Sequence, residues 1–425
     1  MSATENQLET RFIEPLDVLF LRGNKLFGDP GSHGESLVPP WPSVAAGALR
    51  SRMLADDSVD LAAFARGEIE HATLGTPAQP GSFAITAFHL ARRFADGRVE
   101  ALIALPADLV VSEDDHGIIN VRTLNPIGRA MPDTAATGRP MEEDRSGKGI
   151  ASSAPLPLLP VLAETTRGKP ASGYWLTEAG WKSYLAGDTT QATDLVKSDA
   201  LWKLDHRVGV GLDAATRRAA DGRLFSVQAV AMVKRGHRIG TDKQTHKPIL
   251  ADFEVGFVAS VSGATLPNGG TVRLGGDGRA AALHAVATPQ PAPDYATIAQ
   301  TKRCRLVLAT PGLFQGGWLP TGVTQTADGS YRFDLAGVKA RLVCAAVPRF
   351  ETVSGWDLAN WQPKPAQRAA PTGSVYWLDE LAATPDALRK LVERGLWREA
   401  CEDAKSDNAS RRAEGFNRFW LANWK

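Results

Sequence analysis

Arginines and glycines that could bind a charged ligand are concentrated between His206 and Met232. Arg207, Gly209 and Gly211 open this stretch, and an Ala-rich segment with two more arginines follows. Glycine lets the backbone approach a ligand closely, and the planar guanidinium of arginine suits phosphate groups. The pattern predicts a glycine-rich basic turn followed by a strand over 224–232. An ordinary surface turn next to a buried strand would explain the same residues.

The surrounding charge favours an anionic ligand. Residues 207–247 contain nine Lys and Arg against three Asp, whereas the whole chain has 48 basic and 47 acidic residues. A protein that coats duplex nucleic acid would show a global basic excess, so the balance indicates a local basic surface instead. The candidate ligand-binding residues here are Arg207, Gly209, Gly211, Arg217, Arg218, Lys234, Arg235 and Arg238.

Three further basic candidates lie near the N-terminus. Arg22 and Lys25 belong to a long loop, residues 22–36, that contains four glycines and a proline. A helix is predicted after it, with Ser43 as the N-cap, and Arg50 falls off its apolar face. The N-terminus of a helix can receive a phosphate. Gly47 within this helix predicts a close backbone contact.

Catalysis is the alternative interpretation of the basic stretches. Acid–base catalysis at a phosphate needs a general acid and base nearby, and His33, His206 and His237 lie in basic segments. The cysteines Cys304 and Cys344 are far from each other and from Cys401, so neither a metal site nor a disulfide is predicted. No apolar run of about 18 residues is present. We therefore expect a cytoplasmic protein without a cofactor or metal.

The elements that must position these residues follow an α+β pattern. A strand over 12–21, the helix after Ser43, and a hairpin of 82–91 and 99–106 around Asp96-Gly97 match the opening of a ferredoxin-like βαββαβ unit. A Pro/Gly-rich insertion follows, and a strand over 253–262 then precedes a GGDG turn. In the second half, predicted strands are 304–310, 338–347, 374–378 and 415–424, with a helix from Thr384 to Gly395.

These elements predict two ferredoxin-like (RRM-like) domains with long loop insertions. The first covers residues 1–290 with an inserted segment of about 110–205, and the second covers 291–425, with its first helix degenerate. A proline-rich linker near 290 separates them. Within the second domain, residues 354–378 mix Trp356, Trp361, Lys364 and Arg368, a mixture that suits single-stranded nucleic acid or a protein interface.

Several stretches resemble a known family in order along the chain. They are PLDVLFLRGNKLF, PPWPSVAAGALRS, RVGVGLDAATRRAADGRLFSV, TPGLFQGGWLP and SGWDLANWQPKPAQRAAPTGSVYWL, followed by the closing GFNRFWLANW. Together they resemble the RAMP superfamily of CRISPR effector proteins, and within it the large two-domain subunits of type III-B (Cmr) complexes. The family's glycine-rich loop matches GGDGRAA only loosely.

The resemblance implies a non-catalytic RNA-binding subunit that caps the 5′ repeat-derived handle of the crRNA. It implies partners: the large polymerase-cyclase subunit, a backbone RAMP subunit and, indirectly, target RNA. Residues 125–166 match no family motif and are either a hairpin that separates crRNA from target or an ordinary insertion. Two alternatives stay open: a ribonuclease of the same superfamily acting in crRNA processing, and a pure protein adaptor that uses the eleven tryptophans as interface.

Overall fold

The computed structural model describes residues 8–23, 33–114, 117–130, 150–162, 169–242, 245–287, 291–357, 362–398 and 407–425. Its α-helices are α1 Pro42–Asp56, α2 Leu61–Ala65, α3 Glu178–Ala186, α4 Tyr295–Thr301, α5 Pro385–Arg394 and α6 Asp407–Ala413. Two short 3₁₀ turns span Ala192–Asp194 and Ser198–Ala200.

The strands, in chain order, are β1 Glu9–Pro15, β2 His33–Gly34, β3 Ala84–Phe94, β4 Val99–Ala104, β5 Leu109–Glu113, β6 Ile119–Thr123, β7 Asn125–Ala130, β8 Ile150–Ala151, β9 Leu158–Val161, β10 Tyr174–Leu176, β11 Leu195–Lys197, β12 Trp202–Leu212, β13 Ala219–Met232, β14 Arg238–Thr241, β15 Pro248–Leu250, β16 Phe253–Ser262, β17 Thr271–Arg273, β18 Ala280–Ala285, β19 Cys304–Leu308, β20 Val323–Gln325, β21 Tyr331–Leu335, β22 Val338–Ala346, β23 Glu351–Val353, β24 Trp356–Asp357, β25 Gln362–Pro363, β26 Gln367–Ala369, β27 Val375–Ala382 and β28 Phe419–Asn423. The described chain is therefore α+β and rich in sheet, as predicted.

The first large sheet has the order β11-β10-β4-β3-β16-β1-β18-β17. The predicted β3–β4 hairpin is present: Gly97 adopts φ +85° and Asp96 accepts a hydrogen bond from the Arg98 amide. However, β4 lies on the outer side of β3. The strand between β3 and β1 is β16, which follows the insertion, so a long-range pairing displaces the sequential one that the pattern favoured.

Helix α1 covers this sheet with the predicted apolar face, since Ala45, Leu49 and Met53 are buried. The predicted N-cap at Ser43 is wrong, because Pro42 already stands in the first turn and Trp41 is the N-cap. Proline suits that position, where no backbone N–H is needed. The predicted close contact at Gly47 is also wrong, because a Cβ there would meet nothing within 4 Å.

The second large sheet has the order β20-β21-β22-β27-β19-β28. Helix α5 begins as predicted, with the Thr384 side chain accepting from the Ala387 amide, and ends before Gly395. The connection from β19 to β22, described throughout, contains no helix. The first helix of this half, predicted to be degenerate, is therefore absent, and the hairpin of β20 and β21 takes its place.

The two large sheets share a buried core. Phe12 and Val258 of the first sheet belong to the same buried cluster as Val307 and Trp377 of the second. Trp420, on β28, stacks on the buried His89 of β3 with ring centroids 5.1 Å apart. The facing surfaces of both sheets are thus covered by apolar side chains.

A buried ion pair crosses the same region. Asp108, at the start of the insertion, accepts a hydrogen bond from Arg305 of β19 at 2.8 Å and another from the Tyr184 hydroxyl at 2.8 Å. Arg305 also donates to the Tyr184 carbonyl and the Asn423 carbonyl. Asp108 is fully buried. The polar atoms of Asp108, Arg305 and the Tyr184 hydroxyl all have hydrogen-bond partners, which offsets the cost of burying them. The network joins the insertion, α3 and the second sheet.

Candidate RNA-binding surface

The stretch that opened the sequence analysis forms a long β-hairpin. Strands β12 and β13 pair antiparallel from Trp202↔Met232 to Val210↔Leu224. The connection is at 213–218, where the Asp213 carboxylate accepts from the backbone amides of Ala215 and Thr216. The predicted turn at 207–211 is wrong, since these residues lie within β12.

Cross-strand packing explains the glycines of β12. A Cβ on Gly209 would lie 2.4 Å from the ring of Phe225, its directly opposite partner, and one on Gly211 would lie 3.0 Å from Arg223. The two glycines therefore make room for large side chains from β13, an arrangement known to stabilise strand glycines. This placement argues against the predicted backbone contact with a ligand at Gly209 and Gly211.

Four residues from three separate segments meet beside the hairpin and form what we call the arginine–phenylalanine cluster: Phe20, Arg22, Arg207 and Arg279. The Phe20 ring has the guanidinium carbon of Arg279 5.1 Å from its centroid and that of Arg207 6.0 Å away. Asp205 binds Arg207 Nε at 2.8 Å and Asp17 binds Arg279 Nη1 at 2.6 Å. These contacts hold two planar cations in fixed orientations.

The GGDG turn forms one side of the cluster. Gly275 adopts φ +77°, and a Cβ there would lie 2.7 Å from the Phe20 carbonyl, so only glycine fits. The Gly276 amide donates to the same carbonyl, and Asp277 lies 3.9 Å from Arg22. Arg279 leaves the turn with its Nε buried and without a partner among the described residues.

Arg279 was not among the residues predicted from the sequence, although it directly follows the GGDG turn. The GGDG motif alone was a weak signal. Its position against Phe20 depends on pairing between β1 and β18. That pairing joins segments more than 260 residues apart, so a local motif search could not reveal it.

The predicted residues Lys234 and Arg235 belong to an ion-pair cluster with Glu14, Glu254 and Arg93. Lys234 Nζ lies 3.1 Å from Glu14, and Arg235 lies 3.8 Å from Glu254. Burial would raise the pKa of Glu14, but hydrogen bonds from Lys234 and His284 outweigh it and lower the pKa below its ordinary value. The ammonium group of Lys234 is therefore paired within the protein.

Other predicted residues are distributed over two hairpins. Arg217 and Arg218 lie exposed at the tip of the β12–β13 hairpin. Arg238 is exposed on β14, which pairs with β15, and its guanidinium contacts the Thr241 hydroxyl. The structure thus places Arg22 beside the GGDG turn and Arg207 beside Phe20, whereas Arg217, Arg218 and Arg238 lie on exposed hairpins.

Arg50 does not lie on this surface. Its guanidinium is buried 4.9 Å from the Phe83 ring, and burial lowers its pKa below the ordinary value despite the nearby Glu414. Its Nε has no partner among the described residues. Because it packs between α1 and the C-terminal segment, the placement argues against the predicted contact with RNA.

Of the three candidate catalytic histidines, His206 and His237 have described side chains. His237 Nδ1 accepts from the Lys234 amide and closes a turn, and His206 is exposed on β12. His33 contributes only its described backbone, and Lys25 lies outside the described residues. Among the residues that the structure describes, no group of three His, Cys, Asp or Glu side chains could hold a metal ion.

Comparison with known proteins gives a family. The model of the family described as CRISPR-associated protein (Cas_Cmr3) matches residues 11–424. No curated protein sequence matches the chain significantly. No helix in the described ranges has the length and apolar character needed to span a membrane.

Two solved structures match this chain with low sequence identity and low TM-scores. One is a cryo-EM structure of the type III-B Cmr-β complex bound to cognate target RNA and AMPPnP, with 14% identity and a TM-score of 0.41, covering 95% of this chain and 92% of that chain. The other is the same complex bound to cognate target RNA, with 14% identity and a TM-score of 0.40, covering 95% and 93%. The assignment rests on the family model, which confirms the resemblance seen in the sequence: the chain belongs to the CRISPR-associated Cas_Cmr3 family.

Proposed function

We propose that this chain is a non-catalytic, RNA-binding subunit of a type III-B CRISPR effector complex that caps the 5′ handle of the crRNA. The observation that supports it best is the arginine–phenylalanine cluster beside the GGDG turn. Two oriented guanidinium groups, a glycine turn and a third arginine offer donors to adjacent phosphates of one strand. Arg279 joins Arg22 and Arg207 as a proposed contact.

The strand orders support two ferredoxin-like units. In a βαββαβ unit, the four strands have the spatial order 4-1-3-2. The run β18-β1-β16-β3 and the run β28-β19-β27-β22 both follow it, with antiparallel neighbours throughout. We propose domains of 1–290 and 291–425, with the segment of about 110–205 inserted into the first.

The shared core covers the facing surfaces of the two sheets, so the proposed RNA contacts must lie elsewhere. RRM domains stack bases on the open face of their sheet. Here Phe12, Val258 and Trp377 cover the corresponding surfaces within the protein. RNA would therefore bind at turns and hairpins, where Arg22, Arg207, Arg217, Arg218, Arg235 and Arg238 have exposed charge.

The β12–β13 hairpin also suits contact with other subunits. Val208 is 73% exposed, and Val210, Leu212 and Leu224 beside it are also exposed. An aliphatic strand face in water is unfavourable unless a partner covers it. We propose that the large polymerase-cyclase subunit and a backbone RAMP subunit dock on this chain, and that target RNA contacts it only indirectly, in the cytoplasm.

The test is to co-express the chain with its neighbouring complex genes and a CRISPR array, and to sequence the co-purified RNA. We expect wild type to retain RNAs with one repeat-derived 5′ end. Replacing Arg207 and Arg279 with alanine should reduce their yield at least tenfold, because two phosphate contacts are lost, and should make retention less sensitive to salt.

The matched control replaces Arg66 and Arg332, two exposed arginines that are also ion-paired to acidic neighbours. These changes should leave RNA yield and 5′ ends as in wild type. Equal loss in both double variants would contradict a specific role for the cluster. RNA without a defined 5′ end in wild type would contradict the capping function itself.

The non-catalytic part of the proposal has its own test. Alanine at His33, His206 and His237 should leave the ends of the co-purified RNA unchanged. Accumulation of longer, unprocessed RNA in this variant, with the protein still folded by circular dichroism, would instead support a ribonuclease.

A further inference from the structure

An apolar cavity lies between the insertion and the second half of the protein, and no residue of the arginine–phenylalanine cluster lines it. It measures about 500 Å³ and is lined by fifteen residues. Leu158 and Pro160 of β9 line one wall, and Trp318 and Val347 line another. The insertion and the second sheet thus build the cavity together.

The rim of the cavity carries an exposed aromatic ring and two arginines. Phe350 is 52% exposed, and the Arg368 guanidinium stacks 4.8 Å from its ring centroid. Among the described residues that line the cavity, Arg368 is the one charged residue, and Arg349 is exposed next to Phe350. Neither arginine forms an ion pair with a residue in the described ranges. The rim is therefore cationic and the interior apolar.

Two kinds of occupant suit a cationic rim: a nucleotide or an acidic protein segment. A nucleobase has polar edges that need hydrogen-bond partners. The walls consist mainly of Ala, Pro, Leu and Val side chains, and the backbone of Ala370 is already paired with Gly312. A base would lose its hydrogen bonds to water without replacement, whereas an apolar side chain would not. The lining favours a protein.

We propose that this cavity receives an apolar anchor side chain of another protein subunit of the effector complex, flanked by an acidic residue that pairs with Arg368. Aromatic and arginine side chains around a desolvated pocket are typical of interface hot spots. The cavity volume lies in the range of pockets that enclose small organic ligands, about 300–1,000 Å³, so one large side chain would fit. The inference rests on the proposed function, since it requires a multisubunit complex.

The experiment places a photo-crosslinking phenylalanine analogue at position 350 in the full co-expressed complex and maps the products by mass spectrometry. We expect a crosslink to a Leu, Ile, Met, Phe or Trp side chain of another subunit with Asp or Glu within a few residues. The same analogue at Ile118, an exposed apolar residue at the turn of the β5–β6 hairpin, is the matched control and should not yield that product.

A crosslink from position 350 to RNA, to another segment of the same chain, or to nothing in an assembled complex would overturn the inference. If the complex forms and retains crRNA in these cases, the proposed function stands and only the cavity assignment fails. Absence of both complex and crRNA in wild type would contradict the proposed function instead.

Two variants provide an independent measurement. Phe350→Ala and Arg368→Glu change exposed side chains, so the fold should persist. Each should lower recovery of the crosslinked subunit about tenfold relative to wild type, as expected for a hot-spot residue. Recovery unchanged in both variants, with the same crRNA content, would contradict the docking role.

Discussion

At the residue scale, arginine has opposite roles in different parts of this protein. Arg207 and Arg279 flank Phe20 with part of each side chain open to solvent, whereas Arg305 is buried and Arg50 is half-buried with its Nε enclosed. Nothing in the nearby sequence distinguishes these residues. The difference comes from distant neighbours: Phe20 for the first pair, Glu414 near Arg50, and Asp108 beside Arg305. Basic residues could be identified as candidates from sequence, but their burial could not.

The pairing of Gly209 with Phe225 leads to a residue-scale prediction. Gly209→Ala would place a Cβ 2.4 Å from the Phe225 ring, so the ring must move and the hairpin should loosen. We expect the amides of β12 and β13 to exchange hydrogen at least several-fold faster in this variant.

Gly240→Ala is the matched control, because a Cβ there makes an ordinary 3.7 Å contact with Ile249 in the neighbouring hairpin. It should leave exchange in β14 and β15 nearly unchanged. Equal effects of the two substitutions would show that the glycines act through backbone freedom and not through the Phe225 ring.

Glu351 gives a pH prediction. Burial raises the pKa of this carboxyl to about 7, and the Trp41 indole and the Thr372 amide lower it only in part. The unfolded chain ionises near 4.5, so increasing the pH from about 4.5 to 7 favours unfolding. Glu351→Gln removes this penalty. The variant should gain about 2 kcal/mol relative to wild type between pH 4.5 and 7.5, as partial solvent access reduces the full effect.

Denaturant unfolding of both proteins across this pH range measures the difference. Below pH 4.5 the two proteins should differ little in pH dependence, because the carboxyl is neutral in both states. A constant difference between wild type and Glu351→Gln from pH 4.5 to 7.5 would show that the carboxyl titrates normally.

At the element scale, the sequence correctly predicted the elements that are marked by capping or turn residues. Helix α5 has a threonine cap, a proline and a terminal glycine, and the β3–β4 hairpin has Asp96-Gly97; both are confirmed. The β12–β13 hairpin was not predicted, because Gly209 and Gly211 were interpreted as turn residues. Their partners Phe225 and Arg223 lie across the hairpin, so a local pattern could not identify them as strand residues.

Helix α1 carries the element-scale prediction. Gly47 is exposed in its interior with open space around its Cα. Gly47→Ala should stabilise the protein by about 0.5–1 kcal/mol, because alanine loses less conformational freedom in a helix. Thermal unfolding measures the gain. A loss of stability would contradict the open space around Gly47.

At the scale of the whole molecule, the two sheets and the insertion form a continuous buried structure. Sequence patterns predicted the two halves and the linker near residue 290. They could not predict that the halves pack through their sheet faces, because Val258 and Trp377 look like ordinary core residues in separate domains. This packing also determines which surfaces remain exposed for the proposed RNA contacts.

The Asp108–Arg305 pair tests this arrangement. Arg305→Met leaves a buried carboxylate without its cation and should cost about 3–5 kcal/mol. Asp108→Asn combined with Arg305→Met should cost clearly less than the sum of the single changes, because no unpaired charge remains. Denaturant unfolding of the four proteins measures the coupling. Additive effects would mean that the pair is not coupled in solution.

The shared core has a consequence for how the chain could be divided. Trp420, His89 and the Asp108–Arg305 pair join the halves through buried side-chain contacts, in addition to the peptide connection. A protein nicked in the linker should migrate as one particle, and the two halves produced as separate polypeptides should reassemble. Either half alone would expose a broad aromatic surface, so we expect the two halves to associate like the protomers of a non-covalent heterodimer.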